Sequence, residues 1–174
     1  MELQCGVCLL RPWRESDAAR IVRHANDRDV WLNLRDQFPH PYRTADAHAY
    51  IRSVVSQSPP LSFAIVVGDD PAGGIGLNPG TDIERCSAEI GYWVGRTYWG
   101  RGIMTAAVRA VTAYAFKSLG LLRVFALPFT DNAASVRVLE KAGYMREGLL
   151  RSSAIKAEQV RDQYLYAAVR AKAG

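Results

Sequence analysis

The sequence is poor in the residue types that announce a metal centre or a disulfide framework, with three cysteines and three histidines in 174 residues. An odd cysteine count argues against a stapled fold. Cys5 and Cys8 form a C-x-x-C, but Leu3 to Leu10 reads as one strand, on which residues three apart face opposite sides. No second Cys or His pair stands at ligand spacing, so structural cysteines and no metal are expected. No apolar run approaches the roughly 18 residues of a membrane span. The opening Met1-Glu2-Leu3-Gln4 lacks the basic-then-apolar layout of a signal peptide. Internal repeats, low-complexity segments and linkers are missing too. The expectation is a soluble, cytoplasmic protein with no membrane partner, forming one domain over residues 1–174.

Charge of one sign is only slightly in excess. Lys and Arg total 22 against 17 Asp and Glu, a net charge of +5. That balance favours anionic partners but is too diffuse to choose between a phosphorylated cofactor and nucleic acid. A basic stripe and a known nucleic-acid motif are both lacking, so nucleic acid is not expected despite the aromatics Trp31, Trp93, Tyr98 and Trp99.

What is present is a clear alternation of periods. Ser16 can cap a helix with Ala18, Ile21, Val22 and Ala25 on its apolar stripe, and a short helical piece fits Val30 to Leu34. Arg35 to Tyr42, with Pro39 and Pro41, reads as an ordered loop before a helix capped by Thr44. Leu61 to Val67, Ala72 to Leu77 and Ser87 to Val94 read as an antiparallel meander. A long helix follows from Gly102 to about Leu119, then a strand at Leu122 to Leu127 and a helix from Asn132 to Lys141. Two strands, Tyr144 to Arg151 and Val160 to Val169, close the chain. The order predicts a mixed sheet of α+β class.

Chemistry concentrates after the third strand of the meander, in Gly95-Arg96-Thr97-Tyr98-Trp99-Gly100-Arg101-Gly102 and the helix it opens. Glycines allow close backbone approach, and the free N–H groups and positive dipole of a helix start favour phosphate. A packing turn is the alternative, because a short Gly-x-Gly is weak by itself. A Rossmann site is disfavoured: Thr105 stands at the third glycine position and a meander precedes the loop.

Three linked segments, Glu89 to Val94, Tyr98 to Ala107 and Asp131 to Tyr144, resemble the GNAT acetyltransferases over nearly the whole chain. The likeness is greatest to the branch that acetylates N-terminal amines of ribosomal proteins. The resemblance implies a mostly antiparallel sheet of about seven strands, flanked by helices and splayed at its two central strands. It also implies acetyl-CoA or coenzyme A as co-substrate. Trp99, Gly100, Arg101, Gly102, Ile103, Met104 and Thr105 would take the pyrophosphate, and Tyr92, Trp93 and Val94 would pair with the pantetheine arm. Asn132 and Ser135 would contact the thioester end, and Lys141 the adenosine phosphates. Two positions depart from the family pattern: Thr97 stands where Gln or Arg is usual, and Leu139 where many members carry a proton-donating Tyr.

Amine acetylation needs a neutral amine, a polarised carbonyl and a proton for the departing sulfur. Glu89, an acid in an apolar strand, is the candidate base, its pKa expected to rise with burial. Ser135 is the candidate acid or hydrogen-bond donor, and the Trp93 or Val94 amide the oxyanion donor. Arg35, Phe38 and Tyr42 are the candidate acceptor-binding residues, with Arg35 suited to a carboxylate. His24, His40 and His48 read as solvated surface, and Tyr144 as packing. The acceptor is an amine, on a protein N-terminus or a small molecule. A non-catalytic acyl-CoA sensor and a longer acyl donor stay open, as does a homodimer.

Overall fold

The computed structural model describes residues 1–171, which form one eight-stranded sheet in the order β1-β2-β3-β4-β5-β6-β8-β7. The strands are β1 (Leu3–Gln4), β2 (Leu9–Arg11), β3 (Ser62–Val67), β4 (Asp70–Pro79), β5 (Ser87–Val94), β6 (Arg123–Ala126), β7 (Met145–Lys156) and β8 (Gln159–Val169). Helices are α1 (Ala18–Ala25), α2 (Arg28–Trp31), α3 (Thr44–Val54), α4 (Ile103–Lys117) and α5 (Ala133–Lys141). Among the described residues, only β5 and β6 pair in parallel. The class is the expected mixed α+β.

The strand count differs because Leu3 to Leu10 is a hairpin, not one strand. Gly6 takes φ 75°, and the Cys5 amide donates to the Cys8 carbonyl at 3.0 Å, folding Leu3 onto Leu10. The cysteines therefore flank one turn instead of pointing apart. Their thiols interact: Cys8 draws the Cys5 pKa down, against burial, while its own is pushed up by Cys5 and by burial.

Alternation along the strands builds two cores. Phe63 and Ile65 face α4 and α5, together with Ile90, Val108, Val111 and Leu139. Ala64 and Val66 face α1 and α3, together with Trp13, Ile21, Ala47 and Ile51. Tyr144 is buried as expected, its hydroxyl 2.7 Å from that of Thr112.

Two caps differ from expectation. Neither Ser16 nor Thr44 caps with its side chain; Asp17 and Asp46 reach back to accept from the Arg14 and Arg43 amides at 2.9 and 2.8 Å. The turns open on Arg14 and Arg43, so the carboxylate three residues on satisfies the cap's own amide, and Ser16 and Thr44 lie inside the first turn. β7 also runs past Arg151 to Lys156, whose buried amine meets Asp36 at 2.8 Å and the Trp31 ring at 3.8 Å. With Arg161 donating to the Leu32 carbonyl at 2.9 Å, the β7–β8 hairpin straps down the loop between α2 and α3.

Asp17 is a fully buried ion held by one partner side chain. Its side chain is 2% exposed and both carboxylate oxygens take Arg11 nitrogens at 2.7 Å. Burial alone would raise its pKa; Arg11 and the Arg14 amide overcome that and hold it below the usual carboxylate range. The stabilisation is therefore complete above the unfolded-state pKa of about 3.9 and fades as pH falls through the lower folded value. Asp17→Asn should lower unfolding free energy by about 3–5 kcal/mol at pH 7 in urea titrations, because Arg11 is left buried and unpaired. The deficit should shrink at the acid end.

Candidate active site

The site begins where the sheet fails to close. β5 and β6 pair only from Ser87–Arg123 to Glu89–Phe125, and β6 ends at Ala126, while β5 runs on to Val94. The far half of β5 thus has no strand on its β6 side among the described residues. Toward β4, Ser87 accepts from Gly80 at 2.9 Å and Gly95 donates to Ala72 at 2.8 Å. Strand residues alternate their peptide groups, so Trp93 also aims at β4 while Tyr92 and Val94 turn their amides to the gap. Of the two amides expected to serve a carbonyl oxygen, that of Val94 faces the gap and that of Trp93 faces β4.

At the end of β5 the chain turns through Gly100 and Gly102, both at φ 74°, into α4. Left-handed backbone at alternate positions aims successive amides inward, forming a concavity for anions. No protein acceptor takes the amides of Gly100 to Thr105 among the described residues, and the next, Ala106, bonds Gly102 at 3.1 Å. Ile103 and Met104 bury their side chains in the core, so they can serve a ligand only through backbone. Trp99 is about half exposed, and its indole N–H donates to the Val94 carbonyl at 2.9 Å.

Side chains that sequence reading passed over hold this loop in place. Asp70 accepts from the Tyr98 hydroxyl at 2.7 Å and from Arg23 at 2.5 Å, and lies 2.9 Å from His24 Nε2. Burial opposes the charge of Asp70, but Tyr98, Arg23 and His24 together pull its pKa below the ordinary value. His24 is only 10% exposed, so its expected place on the solvated surface is wrong. A β-carbon on Gly95 would come within 2.6 Å of the His24 ring, which explains a glycine there. The signal in the sequence was too dispersed to read.

Around the gap the two faces of β5 carry different chemistry. Tyr92 points toward α5, its hydroxyl 2.8 Å from Ser135 Oγ. Burial raises the phenol pKa, keeping it protonated. Ser135 also gives its amide to Asn132 Oδ1 at 3.1 Å, so the Asn132 carbonyl caps α5. Leu139 is wholly buried in the α4-side core. Glu89 points to the opposite face. It is not the isolated buried acid expected: its side chain is 21% exposed and its Oε1 takes Arg35 Nη2 at 2.5 Å. Phe38 stacks on Tyr42 with ring centres 4.7 Å apart and meets the edge of Trp93 at 5.2 Å. Tyr42 is a core residue, with burial pushing its phenol up to about 12.

A single cleft of about 1190 Å³ joins these features, and every site residue expected from the sequence lines it. The cleft crosses the sheet at the gap, with the α2–α3 loop at one end and Arg101, Arg137 and Lys141 at the other. Arg137 had been missed. It lies one helical turn before Lys141, a spacing that puts both on one side of α5.

Residues 8–145 match the acetyltransferase (GNAT) domain family. The chain belongs to this family, and is an acetyltransferase by that membership. It is 30% identical over 161 residues to the uncharacterized N-acetyltransferase p20 of Bacillus licheniformis, spanning 90% of this chain and 89% of that one. To the ribosomal-protein-serine acetyltransferase of Escherichia coli (strain K12) it is 32% identical over 108 residues, 62% and 59% of the two chains. Among solved structures, RimJ of Mycobacterium smegmatis in complex with CoA-disulfide superposes with a TM-score of 0.85 and 26% identity, covering 97% of this chain and 86% of that one.

The anion concavity generates its own test. Gly102→Val places a β-branched residue at φ 74°, which L side chains resist. Pyrophosphate binding, measured by calorimetry, should weaken about tenfold or more, with about 1–3 kcal/mol lost from stability.

Proposed function

We propose that this cleft transfers an acetyl group directly from acetyl-CoA to a primary amine, with both substrates bound together. The observation that carries it is the run of six unpaired amides, Gly100 to Thr105, leading to the unpaired edge of β5. Those amides fit a pyrophosphate, and Arg101, Arg137 and Lys141 add charge for further phosphates. The Tyr92 and Val94 amides suit an extended arm that continues the sheet, as the missing strand would. The RimJ relative was solved with CoA-disulfide, and the E. coli relative acts on a ribosomal protein serine, which supports a protein N-terminus as acceptor and a cytoplasmic setting.

When bound, acetyl-CoA supplies the acetyl group on a thioester whose sulfur departs as the new C–N bond forms. The Val94 amide faces the gap, where it can donate to a carbonyl oxygen gathering charge. Ser135 Oγ–H donates toward the departing sulfur, backed by the protonated Tyr92 hydroxyl at 2.8 Å. That relay replaces the tyrosine absent at Leu139. Glu89, on the other face, takes the amine proton directly or through water.

Tyr92→Phe and Ser135→Ala should each reduce kcat by about 10–100-fold while the dissociation constant for CoA changes less than about twofold. Glu89→Gln should lower kcat similarly. The assay is thiol release against an amine panel, with calorimetry for CoA. CoA binding without turnover of any amine would replace this reading by a non-catalytic acyl-CoA sensor, and turnover only with longer donors would change the acyl group.

A further inference from the structure

Apart from the Tyr92 and Ser135 hydroxyls, the acceptor end of the cleft contains two charges whose only side-chain partners are each other. Among the described residues, Arg35 bonds no side chain except Glu89, and Glu89 none except Arg35. The nearby acids are occupied elsewhere: Asp29 pairs with Arg96 at 2.9 Å, and Asp46 accepts from the Arg43 amide at 2.8 Å. The other polar side chains lining this part of the cleft, Asn33, Gln37, Tyr50, Ser53, Asn78 and Gln163, carry no charge. The cations Arg101, Arg137 and Lys141 belong to the phosphate end.

An acceptor enters such a site as an ammonium ion, the same charge that Arg35 already presents to Glu89. Arg35 occupies the place the amine must take. Displacing it breaks one ion pair to form another and leaves a guanidinium unpartnered in the cleft. An acceptor carrying its own carboxylate avoids that loss: its ammonium goes to Glu89, and its carboxylate takes the Arg35 fork, which donates two parallel hydrogen bonds. The half-exposed Arg35–Glu89 pair is of a weak kind, with Arg35 63% exposed, so it can open. Opening also frees Glu89 to accept the amine proton.

We propose that the preferred acceptor is a primary amine with a carboxylate close by, and that Arg35 selects it by exchanging partners with Glu89. This rests on the acetyl-transfer reading and adds the substrate class. The carboxylate could belong to an acidic residue next to a peptide N-terminus or to the free C-terminus of a dipeptide, and both sources are tested.

The experiment compares kcat/KM for the C-terminally amidated pentapeptides Ser-Glu-Ala-Ala-Ala, Ser-Gln-Ala-Ala-Ala and Ser-Lys-Ala-Ala-Ala, and for the free dipeptide Ser-Gln. The same peptides are titrated against the CoA-loaded protein by calorimetry. Ser-Glu should exceed the amidated Ser-Gln by about tenfold and Ser-Lys by more, with the margin falling as salt rises. In Arg35→Met the margin should fall below about twofold, and Arg35→Lys should recover part of it. Faster turnover of the free dipeptide than of the acidic pentapeptide supports the inference and assigns the carboxylate to a chain end. Equal kcat/KM and equal affinity for the Glu and Gln pentapeptides overturn it, as does a preference that survives in Arg35→Met. Absence of turnover with an affinity preference that needs Arg35 upholds the charge exchange and overturns the transfer reading alone.

Discussion

Because β6 stops at Ala126, the β5–β6 ladder ends at Glu89 and Phe125, and the rest of the functional geometry depends on that early stop. A sheet normally satisfies its inner strands on both edges, whereas here the far half of β5 turns the Tyr92 and Val94 amides into an opening. The same strand leads directly to Gly100 and Gly102, so the unpaired edge and the unpaired helix start form one continuous line of donors. An extended ligand with phosphate at one end fits that line because it supplies the missing strand and the missing anion together.

The gap also explains how opposite roles come to lie together. Adjacent residues on a strand point to opposite faces, so Tyr92 reaches Ser135 on the α5 side while Glu89, three residues earlier, reaches Arg35 on the loop side. In a closed sheet the two would be separated by a layer of backbone. Here the opening connects them through one cleft. Rigidity around it comes from both ends: Asp70 ties Tyr98 to α1, and Lys156 and Arg161 tie the α2–α3 loop to the long hairpin.

The α+β class, the order of elements and the phosphate loop were legible because each rests on contiguous residues. A continuous apolar run marks β3 and alternating apolar positions mark β5, and Gly100 and Gly102 mark a turn whatever surrounds it. The errors occurred where a local pattern had two outcomes. Leu3 to Leu10 has the composition of a strand, and only the left-handed Gly6 reveals a hairpin. Ser16 and Thr44 are ordinary caps by type, yet the turns open earlier, on Arg14 and Arg43, so both hydroxyls lie inside the first turn and the Asp17 and Asp46 carboxylates reach back to the cap amides. His24 looked solvated because Asp70, its partner, stands 46 residues away.

The amino-acid order was enough to establish the family, the cofactor class and the line of residues along the cleft, since amides and glycines act through backbone that neighbouring residues alone set. It could not establish what each side chain faces. Tyr92 and Ser135 are 43 residues apart, and Arg35 and Glu89 are 54 apart. Those pairings arise from which face of β5 each residue occupies and from where β6 ends, and both follow from packing two cores against one sheet. Glu89 accordingly reads as a solitary buried acid in the sequence and becomes, in the folded protein, half of an exchangeable ion pair.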